Sequence, residues 1–122
     1  MTDNQKLVVV ITHGLHDERA SVAWSIANGG IKNGLEVRVF LASSAVDWVR
    51  KGAADLVHLN PLDPTMIDMI QTVINAGGGV GVCPPCAKVR GYSEEDLIDG
   101  VQIVGSGFIH EAIKEGASTL SF

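Results

Sequence analysis

Long hydrophobic runs are missing from this 122-residue chain. The longest aliphatic stretch, Leu7-Val8-Val9-Val10-Ile11, is far short of the roughly 20 apolar residues that a membrane span requires. A membrane partner is therefore not expected. Positive charge is also scarce: nine basic residues stand against 14 acidic ones, a formal net charge of -5. The basic residues fall singly or in pairs from Arg19 to Lys114, which is the distribution of a solvated surface and not of a phosphate-binding patch. Direct nucleic-acid binding is not expected either. The polar start, Met1 to Lys6, leads into an apolar run too short for the core of a signal peptide, so the cytoplasm is the expected compartment. No internal repeat interrupts the chain, and no Walker pattern is present. No cofactor or resident metal is expected.

What is present is a core. The chain is well below the roughly 250 residues at which folds divide, so one domain over residues 1–122 is expected. Its 46% apolar residues suffice for a core without disulfide staples. Leu7–Ile11 reads as a strand covered on both faces, the pattern of a parallel sheet. Asp17 is a candidate N-cap for a helix whose inward positions are Ala20, Ala23, Trp24, Ala27 and Ile31, stopped at Gly34. Glu36–Leu41 resumes strand character and completes a β-α-β unit. Ser43 or Ser44 is positioned to cap a short helix running to Gly52, and residues 53–62 form an ambiguous segment. Asp63 is a candidate cap, with Pro64 at the first position, for a broadly apolar helix from Met66 to Ile74. That breadth suggests burial in an oligomer. Gly79–Cys83 reads as a third strand followed by a short helix through Arg90. Ser93 to Asp96 is a capping box, and Val101–Val104 a fourth strand. Ser106 is placed to cap a last helix with Phe108, Ile109, Ala112 and Ile113 inward, and Ser118–Phe122 is a terminal strand. The alternation predicts an α/β fold, a three-layer α/β/α sandwich around a mainly parallel five-stranded sheet.

In such folds, function gathers outside the carboxyl ends of the strands. There the chain places His13 and His16, Ser43 and Ser44, Cys83-Pro84-Pro85-Cys86, and Gly105-Ser106-Gly107. Gly77 to Gly79 falls at the opposite edge and reads as a helix stop. A thiol at a strand-to-helix junction feels the positive end of the helix, which favours the thiolate. Cys83 occupies that junction, although the two prolines remove N–H donors from the first turn. Cys86 is placed to resolve a disulfide, to share a transferred sulfur, or simply to pack.

Three chemistries compete for the pair. A thioredoxin-type dithiol is disfavoured, since that motif comes early in its fold and is followed by a proline, whereas here all four prolines lie before or within it. A zinc site would need Cys83, Cys86, His13 and His16 to meet at one sheet edge. The third comes from resemblance. The segment from Cys83 through Arg90-Gly91 resembles the cysteine-to-Arg-Gly signature of the DsrE/DsrF-like family, which includes sulfur-relay TusD-like and YchN-like proteins. Further matches are Arg19-Ala20, Gly34-x-x-Val37-x-Val39-Phe40 and Leu97-x-x-Gly100-Val101. The resemblance implies a homotrimer or homohexamer in which Cys83 accepts a persulfide sulfur from a donor protein and passes it to an acceptor. Cys86 would be an accessory group, with His13, His16, Ser43, Ser44, Arg90 and Ser106 as auxiliary or binding residues. The double proline and second cysteine are closer to the YchN-like branch. An alternative function is a non-catalytic oligomeric module for a small anion or metabolite.

Overall fold

The computed structural model describes residues 5–122; Met1 to Asn4, the polar start of the chain, lie outside the described residues. Five strands form one sheet: β1 (Lys6–Ile11), β2 (Glu36–Leu41), β3 (Val80–Val82), β4 (Val101–Ile103) and β5 (Ser118–Ser121). Their order is β4-β3-β2-β1-β5, and every pairing is parallel. The helices are α1 (Glu18–Lys32), α2 (Met66–Ala76), α3 (Pro84–Lys88) and α4 (Gly107–Lys114), with a 3-10 helix over Ser43–Val49 and a 3-10 turn over Glu94–Asp96.

The period of two along each strand makes the three layers. Leu7, Val9 and Ile11, with Val37, Val39, Leu41, Val80 and Val82, face α1 and α2 in the main core. Trp24 from α1 and Met69, Ile70 and Val73 from α2 fill it. Asn28 ties the two helices together, its side-chain amide donating to the carbonyls of Trp24 at 2.9 Å and Met69 at 3.0 Å. The intervening residues Val8 and Phe40 are buried on the other face. There α4 lays Phe108 against Phe40, with ring centroids 6.3 Å apart, and the Arg38 guanidinium sits 4.7 Å from the Phe108 centroid. Gly81 makes that contact possible, because a Cβ on it would lie 2.7 Å from Val104 Cγ2 and 3.1 Å from Phe108 Cδ2. The α/β/α sandwich is thus as expected, and the sheet is wholly parallel.

Several boundaries differ, each for a local reason. The cap of α2 is Thr65, whose hydroxyl accepts from the Asp68 N–H, so Asp63 and Pro64 precede the helix. The 3-10 helix at 43–49 has no side-chain cap: Ser43 itself is left-handed at φ 55°, which turns its side chain away from that role. Ser106 precedes α4 with helical backbone angles and no capping bond, since a side-chain cap needs an extended residue there. Gly79, at φ 108°, cannot join β3. Ile113 is 46% exposed and does not face inward. The ambiguous segment splits, Ala54, Val57 and Leu59 packing on the core while Leu56 and Leu62 stay exposed. The breadth of α2 is used within the chain: Ile67 and Ile74 pack half-buried against the same core as Met66 and Met69, so it requires no second subunit.

Candidate functional site

The carboxyl ends of β1, β2 and β3 carry the candidate site. The ladder continues one residue past β3, with the Cys83 N–H donating to the Leu41 carbonyl at 2.9 Å. The chain then turns into α3, whose first two positions are Pro84 and Pro85. Neither proline has an N–H, and the Ala87 N–H is spent on the Cys83 carbonyl at 3.0 Å. The Cys86 N–H is left to face the Cys83 sulfur.

Cys83 and Cys86 are both half-buried free thiols with their Sγ atoms 2.9 Å apart. Burial pushes the Cys83 thiol above its ordinary range, and the neighbouring Cys86 thiol adds to this; the Cys86 N–H pulls the other way without prevailing. Burial thus outweighs the helix-end effect on Cys83, in line with the donors the two prolines remove. A five-residue helix with two prolines in its first turn offers too few donors to offset desolvation.

Cys86 receives the N–H of Ser43 at 3.1 Å. Its carbonyl accepts from Arg90 Nη1 at 3.1 Å, while Arg90 Nε lies 3.8 Å from Asp47 Oδ1. Tyr92 donates its hydroxyl to that same Asp47 oxygen at 2.6 Å. Gly91 explains how Tyr92 reaches it. At φ 75° it closes α3 with its N–H on the Lys88 carbonyl and the Tyr92 N–H on the Ala87 carbonyl, which reverses the chain.

On the far side of Ser43 a cleft of about 360 Å³ opens between the loop after β1 and the 3-10 helix. His13, Gly14, His16, Asp17, Ser44 and Asp47 line it together with Leu15. His13 Nε2 lies 3.8 Å from Asp17 Oδ2, and Trp48 Nε1 fixes the loop by donating to the His13 carbonyl at 2.9 Å. The backbone and side-chain N–H groups of Arg19 hold the Asp17 carboxyl down to about 2. Ser44 Oγ lies 3.4 Å from the Thr12 carbonyl. A Cβ on Gly14 would meet the Ser44 carbonyl at 2.9 Å, so the two loops interlock.

The structure thus brings Cys83, Cys86, Ser43 and Arg90 together, with His13, His16 and Ser44 in the adjoining cleft. Ser106 is exposed beyond β4, and among the described residues its side chain forms no hydrogen bond with this group. His13, His16, Cys83 and Cys86 do not assemble as a zinc site: among the described residues no three histidine, cysteine or acidic side chains converge in a metal-holding group. Sequence reasoning missed Asp47 and Tyr92. The available signal was Asp47 itself, a carboxylate inside the apolar stretch Ala45-Val46-Asp47-Trp48-Val49, since a charge partly withdrawn from water there implies a partner.

The sequence matches the DsrE/DsrF-like family over residues 5–122. The chain belongs to that family. Two relatives are similar over nearly their whole length. The uncharacterised protein MJ0989 of Methanocaldococcus jannaschii is 32% identical over 119 residues, covering 96% of this chain and 99% of its own. The uncharacterised protein MK0008 of Methanopyrus kandleri is 32% identical over 118 residues, 95% of this chain and 93% of its own. Among solved structures, the YchN protein from E. coli superposes with a TM-score of 0.78 at 24% identity, over 97% of this chain and 99% of that one. MTH1491 from Methanobacterium thermoautotrophicum gives 0.72 at 18% identity, over 98% and 100%. At these identities the structural likeness is one of fold. Within this DsrE/DsrF-like chain, the Cys83-to-Gly91 segment forms the thiol pair and the turn that returns Tyr92 to Asp47.

Proposed function

We propose that this protein is an intracellular sulfur carrier of the sulfurtransferase type, accepting a sulfane sulfur on Cys83 and handing it to a partner. The observation that supports this most is the 2.9 Å contact between Cys83 and Cys86 at the open edge of the sheet. In the loading step the Cys83 thiol loses its proton, and the thiolate attacks the terminal sulfur of a donor R–S–SH. A Cys83 S–S bond forms, the donor S–S bond breaks, and the donor leaves as a thiolate that takes up a proton. The net change is Cys83–SH plus R–S–SH to Cys83–S–SH plus R–SH, with no external oxidant.

Cys86 shares the load: its sulfur is near enough to take the terminal sulfur in turn, and its half-buried position shields the persulfide. Ser43 steadies Cys86 through its N–H, Arg90 holds the Cys86 carbonyl, and His13 and His16 are the nearby imidazoles able to carry the proton. Exposed Val89, next to the thiol turn, offers an apolar contact for a donor or acceptor protein. Assembly as a homotrimer or homohexamer and residence in the cytoplasm complete the reading, as does a single domain over residues 1–122.

A second reading is favoured by the raised Cys83 thiol: a module that binds a small molecule and does no sulfur chemistry. Intact-protein mass spectrometry after exposure to a persulfide donor separates the two. The carrier gains the mass of one sulfur, loses that gain in Cys83→Ser and keeps it in Cys86→Ser. A folded wild type that gains nothing supports the binding module.

A further inference from the structure

We propose that the cleft between the β1 loop and the 3-10 helix binds a low-molecular-weight persulfide of the aminothiol type, with an ammonium group and no carboxylate, and presents its sulfur to the thiol pair. This rests on the carrier reading and names its donor. Four features of the cleft point to that class.

The first is position. Ser44 and Asp47 line the cleft. Ser43, beside Ser44, donates its N–H to Cys86 Sγ, and Arg90 links Asp47 to the Cys86 carbonyl. The cleft and the thiol pair therefore share one wall, and with the two sulfurs 2.9 Å apart a sulfur delivered beside Cys86 is also in reach of Cys83. The second is size. About 360 Å³ is at the small end of ligand cavities, which run from roughly 300 to 1,000 Å³. It suits an amino-acid-sized molecule better than a folded partner's loop.

The third is charge. The lining holds two carboxylates and two imidazoles but no lysine or arginine, which favours a cationic group over an anionic donor such as thiosulfate. The fourth is an unused acceptor. Tyr92 and Arg90 both approach Asp47 Oδ1, and among the described residues Oδ2 has no hydrogen-bond partner. Asp17 is held more closely, by Arg19 at 2.9 Å, than Asp47 is by Arg90 at 3.8 Å. Asp47 is thus the carboxylate left to receive an ammonium, and a charge-assisted hydrogen bond of that kind discriminates well.

The test compares sulfur loading from cysteamine persulfide and from N-acetylcysteamine persulfide, which lacks the ammonium. In parallel, calorimetry follows binding of unreactive S-methylcysteamine and its N-acetyl form to the wild-type chain. Expected is loading about tenfold or more faster from the free amine at limiting concentration, the discrimination of one charged hydrogen bond. Asp47→Asn, which keeps an oxygen for Tyr92, removes the preference. Equal loading from both donors overturns the proposal and leaves the carrier intact. Should neither donor load, selective binding of S-methylcysteamine still supports the cleft assignment while the carrier reading falls. Failure of both S-methyl compounds to bind overturns the cleft assignment.

Discussion

The N–H of Ser43 points at the sulfur of Cys86 from 3.1 Å, and Ser43 adopts a left-handed backbone, φ 55°, in doing so. A non-glycine residue held in that region costs on the order of 1–3 kcal/mol and persists only where surroundings impose it. Here it goes with the Ser43 N–H bond to Cys86 Sγ and with the close approach of Gly14 to Ser44. Ser43→Gly relieves the strain and keeps the amide on Cys86, so sulfur uptake within a few-fold of wild type and an unchanged or higher melting temperature are expected. Ser43→Val puts a β-branched side chain into the same backbone, and is expected to lower both the melting temperature and the uptake rate.

The Cys83 thiol is raised, first by burial and then by Cys86. A raised thiol pKa means less thiolate at any given pH. The rate of Cys83 alkylation in Cys86→Ala is therefore expected to follow a profile displaced to lower pH than that of Cys83 with Cys86 present, because one of the two raising causes is gone. Peptide-resolved alkylation with a small haloacetamide across the alkaline range measures this. Coincident profiles would show that the contact with Cys86 does not govern Cys83.

Asp17 couples helix α1 to acid. Its carboxyl falls from 3.8 to about 2 in the folded chain. A depressed folded pKa stabilises fully above the unfolded value and loses that stabilisation as pH drops toward the folded one. Asp17→Asn retains a capping oxygen but not the charge. Wild type is expected to melt above Asp17→Asn at neutral pH, with the gap closing as pH falls from 3.8 to about 2. Thermal melts over that window check it.

Much of this fold was legible because its signals are local. Leu7–Ile11, buried on both faces, and the Ala20/Ala23/Trp24/Ala27 stripe follow from strand and helix periodicity alone, as does the Ser93–Asp96 capping box, which forms as read. Caps that depend on a backbone angle were not legible: Ser43 and Ser106 are good capping residues placed in non-capping conformations by their neighbours. At the site, Cys83, Cys86 and Ser43 could be grouped from strand ends, while Arg90 came only with the family resemblance. The link from Tyr92 back to Asp47 could not, since it depends on a reversal at Gly91 joining residues 45 apart. The balance between helix-end and burial effects on Cys83 was likewise hidden until the length of α3 was known.

Gly81 tests the third layer. A methyl group there would press on Val104 and Phe108 at 2.7 and 3.1 Å. Overpacking of this kind costs typically about 1–3 kcal/mol. Gly81→Ala is expected to lose stability in that range by denaturant titration and to loosen α4. A neutral substitution would mean that Phe108 does not rest on the sheet.

Thr65→Ala separates the observed cap of α2 from the one anticipated at Asp63. Loss of a side-chain N-cap typically costs about 1 kcal/mol. Chemical denaturation is expected to show that loss for Thr65→Ala and little for Asp63→Ala; the reverse order would move the start of the helix.

The most direct measurement of the carrier account traps the sulfur in place. The protein is loaded with a persulfide donor, blocked with an alkylating reagent and digested, and the peptide holding residues 83 and 86 is sequenced by mass spectrometry. One extra sulfur on Cys83, absent in Cys83→Ser and released on adding an acceptor thiol, is the predicted result. A peptide carrying only two alkylated, unmodified thiols after full exposure to donor would contradict it.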